Sequence, residues 1–441
     1  MSWIALKMLV GDKAKFFGIV LGLTFAALLI MQQGSIFCGL MLRTAGQITD
    51  ITGADLWVMD HSVRYVDDVK PMLESNLYRV RGVEGVRWAV PLYKGNARVR
   101  VNPKERKAND PVTIEQVILL GLDDASLVGA PRKIVVGDLL DLRKPDAVIV
   151  DNTRLEKLYP QLNPIWGRAP KVFAGRRKEK QEDIPESEWK KEALIKKYGK
   201  DEGERLVYKR FLSKELEMND RRAVIVGICV ATRTFQSNPV VYTTYSRAKQ
   251  FAPQERKILS YVLVKVEGTD DEKLSWKARE NLRTEVATRI KKKTGLRART
   301  SDEFLLDTIM YYMKYTGIPI NFGITAMLGF LVGTAIAGQT FYNFTLENLK
   351  QFGALKAMGA TNLRIVGMIL LQATVVGFLG YGIGVGLAAG FGIMTSGGEL
   401  AFYTWWPILP ITGVAVVFIC ILSSLLSIRR VMVLEPAVVF R

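Results

Sequence analysis

Histidine and cysteine are nearly missing from this 441-residue chain, which has one His and three Cys. His61 alone, with no Cys/His cluster beside it, leaves a structural zinc site without ligands and a Ser/His/Asp or Cys/His triad without a credible base; it reads as a surface or turn residue. Cys38 and Cys420 lie in or beside apolar segments and only Cys229 falls in the polar part, which excludes a disulfide framework. No G-x-x-x-x-G-K-S/T run occurs, so these residues encode no phosphate-cradling ATPase loop. An ordinary enzyme is therefore not what the sequence describes.

Charge is also missing, and in a pattern. No Asp, Glu, Lys or Arg interrupts Phe16 to Leu42, Tyr315 to Leu346, Ile365 to Gly398 or Leu400 to Ile428. Each stretch exceeds the roughly 20 residues that cross a bilayer as a helix. The layout is one apolar segment, about 270 polar residues, then three more segments, as the positions show. The absence of ionisable groups inside the spans argues against ion-coupled transport, proton relays and voltage sensing, which place such groups in the membrane.

What is present is basic. Residues 43–314 hold 52 Lys and Arg against 39 Asp and Glu, and so carry +13 of the formal +18. Interleaved acids and the lack of a Gly/aromatic RNA signature argue against a nucleic-acid partner. Orientation is read near the ends of the spans: Lys7, Lys13 and Lys15, then Lys350, Lys356 and Arg364, then Arg429, Arg430 and Arg441, are basic, whereas Thr395 to Trp406 lacks Lys and Arg and holds Tyr403, Trp405 and Trp406. Both termini are expected in the cytoplasm of a bacterial inner membrane and the large domain in the periplasm. With 27 uncharged residues, the first segment is too long for a signal-peptide core of about 7 to 15 residues.

The expected organisation is a four-span (1+3) α-helical membrane protein with a large extracytoplasmic α+β domain between helices one and two. Its parts are a cytoplasmic amphipathic helix (1–15), span one (16–42), the α+β domain (43–314), span two (315–344), a cytoplasmic helix (345–362), span three (363–394), span four (405–428) and a tail (429–441). Ala54 to Met59, Gly85 to Val101, Thr113 to Asp123, Ala147 to Val150, Ala223 to Val230, Val240 to Thr244 and Ser260 to Val266 read as strands in several short groups. Asp67 to Arg79 and Asp270 to Thr294 read as helices. A charged insertion at about 168–220 reads as a solvated helical segment or a docking surface. Thr300 and Glu303 form a capping-box pattern opening a helical stem that is expected to run unbroken into span two. Gly329 and Gly333 in span two, and Gly377, Gly380, Gly382, Gly384, Gly386 and Gly390 in span three, suit close helix packing.

The run Leu349-Lys350-Gln351-Phe352-Gly353-Ala354-Leu355-Lys356-Ala357-Met358-Gly359-Ala360-Thr361 resembles the cytoplasmic coupling helix of FtsX/MacB-type ABC transporter permeases. Leu434 to Arg441 is similar to that family's closing signature. Met31 to Gly34, Gly53 to Val58, Pro91 to Tyr93, Arg143 to Ala147 and Gln372 to Gly386 bring the sequence nearest to DevC-type permeases of heterocyst glycolipid exporters; the insertion near 168–220 is longer than the family usually carries.

The resemblance implies a MacB-like periplasmic core domain and a mechanotransmitting subunit that binds no cofactor, draws on ATP through a separate ABC ATPase and pairs with a second copy of itself. It further implies a periplasmic adaptor and a TolC-like outer-membrane channel, with export of a lipid, glycolipid, peptide or hydrophobic compound. In the coupling helix, Gly353 and Gly359 would allow close approach, Leu355 and Met358 would serve as apolar anchors, and Lys350 and Lys356 would meet acidic ATPase residues. FtsEX-like regulation of a cell-wall hydrolase and lipoprotein extraction remain open as alternatives.

Overall fold

The computed structural model describes residues 2–101, 114–152, 155, 206, 208–209, 211–252, 259–395 and 400–432. Most of the charged insertion and the closing signature Leu434 to Arg441 lie outside the described residues. The chain separates into two compact units, Met41–Tyr315 and a second formed by Met1–Leu40 with Thr316–Arg441.

In the second unit, α1 (Ser2–Gly11) precedes α2 (Lys13–Thr44). Later come α8 (Ile318–Glu347), the short α9 (Leu349–Ala357), α10 (Asn362–Thr395) and α11 (Ile408–Met432). Four of these, α2, α8, α10 and α11, are long and apolar enough to cross a membrane, and an unpaired backbone in hydrocarbon leaves such stretches little alternative to helix.

The large unit is α/β. Helices α3 (Gly46–Asp50), α4 (Ser75–Arg81), α5 (Tyr245–Phe251), α6 (Trp276–Thr294) and α7 (Ser301–Tyr315) accompany a sheet of ten described strands. These are β1 (Leu56–Met59), β2 (Val86–Val101), β3 (Ile114–Leu122), β4 (Lys133–Gly137), β5 (Ala147–Asp151), β6 (Glu215–Met218), β7 (Arg221–Val230), β8 (Val240–Thr244), β9 (Tyr261–Val266) and β10 (Arg297–Thr300). Their order is β10-β1-β9-β2-β3-β8-β5-β7-β4, and β6 joins β2 to β7. The expected separate short groups are thus one hydrogen-bonded sheet. The 16-residue β2 makes this so: its first half pairs with β9 and its second with β3 and β6. Through β6 the strands β2, β3, β8, β5 and β7 close into a ring.

Strand alternation feeds two cores. Val117 and Leu119 enter one cluster while Ile118, Leu120 and Leu122 enter the other; Val148 and Val150 divide from Ile149 in the same way. This is the period-two consequence of a pleated strand buried on both faces.

Two expected helices are shorter. Of Asp67 to Arg79 only α4, from Ser75, is helical; Pro71 denies the preceding stretch a backbone donor and Met72 instead bridges to Leu259. The second begins at Trp276, capped by the Ser275 hydroxyl accepting from Ala278 N.

The unbroken stem is also corrected. Helix α7 stops at Tyr315 and α8 starts at Ile318 with Pro319 in its first turn. A continuous helix would drive the Pro319 ring into the carbonyl of residue i−4, which is Tyr315.

Candidate functional site

The cytoplasmic-helix motif folds into α9 and the turn after it. Asn348 opens α9 and its amide donates to the Phe344 carbonyl at 2.8 Å. Phe352, Gly353 and Leu355 face inward. Phe352 and Leu355 join Ala5 of α1, Ile365, Met368 and Ile369 of α10 and Val431 of α11 in one apolar cluster. Leu355, 7% exposed, is therefore an internal packing residue and not an outward anchor, and Gly353 is likewise buried. The Lys356 amine donates to the carbonyls of Val431 at 2.9 Å and Met432 at 3.2 Å. It caps the end of α11, where a cation meets the negative end of the helix dipole. Beside any role toward an ATPase carboxylate, the Lys356 amine thus has partners within this chain.

Gly359 has a different reason to be glycine than close approach. Its N–H bonds to the Lys356 carbonyl at 2.9 Å, and the Ala360 N–H reaches back to the Leu355 carbonyl at 3.0 Å. With φ at +91° this is a Schellman cap closed by a left-handed residue, a conformation that strains an L-residue by roughly 1–2 kcal/mol and glycine not at all.

Among the exposed residues around the turn are Lys350 of α9, Met358 (75% exposed) in the turn, and Leu363 (84% exposed) and Arg364 in the first turn of α10. Met358 was visible in the motif, whereas Leu363 was not singled out, since at the start of an apolar helix it reads as part of the span. Near the other end of α9, Lys15 of α2 bonds Asp12 at 2.6 Å and also pairs with Glu347, the last residue of α8. Gln372, fully buried in α10, donates to the Ala5 carbonyl at 2.8 Å and fixes α1.

The packing glycines divide into two sets. A Cβ on Gly333 would lie 2.4 Å from Ala26 Cβ, and one on Gly329 would lie 2.9 Å from Leu29 Cβ. On Gly380 it would meet Leu23 Cβ at 2.6 Å, and on Gly384 Ala27 Cβ at 2.6 Å. All four lie against α2, which passes between α8 and α10. By contrast Gly382, Gly386 and Gly390 face open space, so the expected row of six in α10 is not one packing edge.

In the large unit the Thr300/Glu303 pair forms both capping-box bonds, each at 3.2 Å: Thr300 N–H to the Glu303 carboxylate, and Glu303 N–H to the Thr300 hydroxyl. The helix it opens carries Tyr311, stacked on Tyr65 at 4.0 Å, and Thr308, whose hydroxyl accepts from Val66 N–H at 3.2 Å. His61 is exposed beside Asp60.

Asp55, which the sequence offered only as part of a motif, proves to be the most heavily bonded carboxylate described. It accepts from Arg283 at 3.1 and 2.8 Å, Thr269 at 2.6 Å and Val266 N–H at 3.1 Å, with Lys265 at 3.3 Å. The unit also contains a cavity of about 550 Å³ at Lys94, a pocket the sequence did not reveal.

Residues 323–436 match the family model described as FtsX-like permease C-terminal. Among solved structures, the chain is similar to the extracellular domain of the noncanonic ABC-type transporter YknZ from Gram-positive bacteria, at 13% identity and TM-score 0.31, over 56% of this chain and 99% of that one. It is also similar to the periplasmic region of MacB from Actinobacillus actinomycetemcomitans, at 15% identity and TM-score 0.32, over 61% of this chain and 96% of that one. No curated protein matches.

Proposed function

The chain carries an FtsX-like permease domain, and on that premise we propose that it is the membrane subunit of an ABC exporter driven by a separate ATPase. The observation that carries this reading is the built turn after α9. Its α9 side is tied to α1, α10 and α11 by Phe352, Leu355 and Lys356, while Met358 of the turn and Leu363 at the start of α10 are exposed between Lys350 and Arg364. Two apolar side chains left in water around a capped, rigid turn, flanked by cations, suit an acidic-rimmed hydrophobic socket on a partner. A push on these two is delivered at once to three helices.

In this reading both termini and α9 are cytoplasmic and the large unit is periplasmic, as the basic flanks favour. Two copies pair, each with its ATPase, and closure of the ATPases moves the large units, which act with an adaptor and an outer-membrane channel. Spans without ionisable groups fit a cargo taken from the periplasm or the outer leaflet rather than passed between the helices. The cargo class is a lipid, glycolipid, peptide or hydrophobic compound, and the chain itself is a transporter subunit without its own catalysis.

The test is co-purification of the full chain with its ATPase from the native membrane. Met358→Asp and Leu363→Asp are expected to lower ATPase recovery and ATPase stimulation at least about tenfold each, as loss of a central apolar anchor does, without lowering the thermal stability of the chain. Wild-type stimulation in both variants overturns the coupling assignment. A cell-wall hydrolase recovered in place of an adaptor would replace export by regulation.

A further inference from the structure

Lys94 sits in β2 with its side chain only 6% exposed. An ammonium taken out of water is costly unless paired, so its partners matter. It donates to the Val66 carbonyl at 2.8 Å and pairs with Asp67. That counter-ion is not itself buried: the Asp67 side chain is 40% exposed. Burial pushes the Lys94 amine below the usual lysine range.

The pair stands in the wall of the 550 Å³ cavity, a volume of the order that takes drug-sized ligands, about 300–1,000 Å³. Tyr65 and Phe235 also line it, and both rings are held from behind, Tyr65 by Tyr311 and Phe235 by Tyr312 with centroids 5.1 Å apart. Asn96 and Gln236 supply amides at the wall, and the Asn96 amide makes no hydrogen bond among the described residues.

This arrangement selects by charge. A cation that takes Asp67 as its partner leaves the buried Lys94 ammonium with the Val66 carbonyl alone. A neutral molecule gains the rings but no ion pair. An anion exchanges with a half-exposed carboxylate at a buried ammonium, and buries its apolar part against two fixed rings. The surplus of 52 basic over 39 acidic residues in 43–314 raises the local concentration of anions. We propose that this cavity binds an anionic molecule with an apolar or aromatic body, its carboxylate or phosphate paired with Lys94 in place of Asp67. The site extends the permease reading without depending on it, because binding requires only this chain.

Full-length protein in phosphatidylcholine nanodiscs, without ATPase, is titrated calorimetrically with 2-naphthoate, 2-naphthyl phosphate and 2-naphthamide. Saturable binding of a carboxylate or a phosphate is expected, the two arms showing which headgroup the site prefers, with the neutral amide weaker by at least about tenfold. Lys94→Met should weaken the anion by a similar factor, and Phe235→Ala by less. Asp67→Asn should tighten it, since the competing carboxylate is gone; an ion pair that only holds the fold would leave affinity unchanged in that variant. No saturable anion binding, equal binding of the amide, or unchanged affinity in Lys94→Met overturns the proposal. Should Lys94→Met fail to fold, unchanged or weaker binding by Asp67→Asn overturns it alone. Loss of ATPase stimulation in the α9 variants with intact naphthoate binding would separate the two readings.

Discussion

The two units solve the packing problem in opposite ways. In the large unit, contact is made by filling: two apolar clusters occupy both sides of the sheet, and the polar groups that must be buried are pinned by ion pairs such as Asp55 with Arg283. In the membrane unit, contact along α2 is made by removal. Gly329, Gly333, Gly380 and Gly384 leave out the side chain so that α8 and α10 can lie on α2. Apolar surface gains nothing from leaving lipid, and close approach of backbones is the available currency there. The lesson is that a lost charge is dangerous chiefly in the large unit, whereas an added methyl is dangerous along α2 in the membrane unit and also at single sites of the large one such as Gly121, where a Cβ would lie 2.4 Å from Ala248 Cβ.

The sharpest way to break that comparison is to remove Asp55. Asp55→Ala leaves Arg283, Lys265, Thr269 and the Val266 N–H without their shared acceptor, and loss of one partner of a buried pair costs about 3–5 kcal/mol. Chemical denaturation of the full chain, followed by near-ultraviolet circular dichroism, should show it, and an unchanged midpoint would mean the carboxylate is not structural. Next come the glycines. Gly333→Leu and Gly384→Leu are expected to cost about 1–3 kcal/mol each by overpacking against Ala26 and Ala27. Gly386→Leu, on the open face, should leave the thermal stability of the detergent-solubilised chain alone. Equal losses in all three would show that the open face is packed as well, and would erase the distinction between the glycine sets.

How much of this was legible follows the same division. The spans were legible because an uncharged run of 27 or more residues admits one structure in lipid. The capping box was legible because its chemistry is local: two residues three apart. Strands β6, Glu-Leu-Glu-Met, and β10, Arg-Ala-Arg-Thr, were not, since neither has the composition of a strand. They are strands because β2, β7 and β1 offer free edges to them, a fact settled far away in sequence. In the candidate site, Leu355 and Met358 are three apart and read as one helical face. The helix ends between them, at Ala357, so Leu355 faces in and Met358 out. Lys94 is one of 61 basic residues, and nothing local marks it as the buried one. Pro319, by contrast, was in plain view as a helix breaker.

A weaker effect sharpens the comparison at the cytoplasmic end. Lys356 is a charge working in the membrane unit, and its role is to cap rather than to fill. Lys356→Met keeps the stem of the side chain and removes the two bonds to α11, a loss of about 1 kcal/mol for a cation at a helix C-terminus. A lower melting temperature with unchanged ATPase affinity is the expected result. The reverse, reduced affinity at unchanged stability, would place Lys356 on the partner surface.

The smallest expected effect tests whether surface charges in the large unit share the importance of the buried ones. Glu74 is held below the ordinary glutamate range chiefly by its bond to the Lys249 ammonium, at 2.6 Å. A carboxyl whose folded pKa is depressed binds its proton less readily when folded, so the unfolded state carries more protons in that window. Its contribution to stability is complete above the unfolded pKa and is lost as pH falls through the folded one. The Glu74 side chain is 56% exposed, so water and salt screen most of the interaction. Glu74→Gln should therefore flatten the loss of stability of the full chain below about pH 4.3, the unperturbed glutamate value, only slightly, and should change nothing at neutral pH beyond a fraction of a degree. A large neutral-pH loss would mean that the pair does in the open what Asp55 does in the interior, and that exposure is a poor guide to which charges hold this unit together.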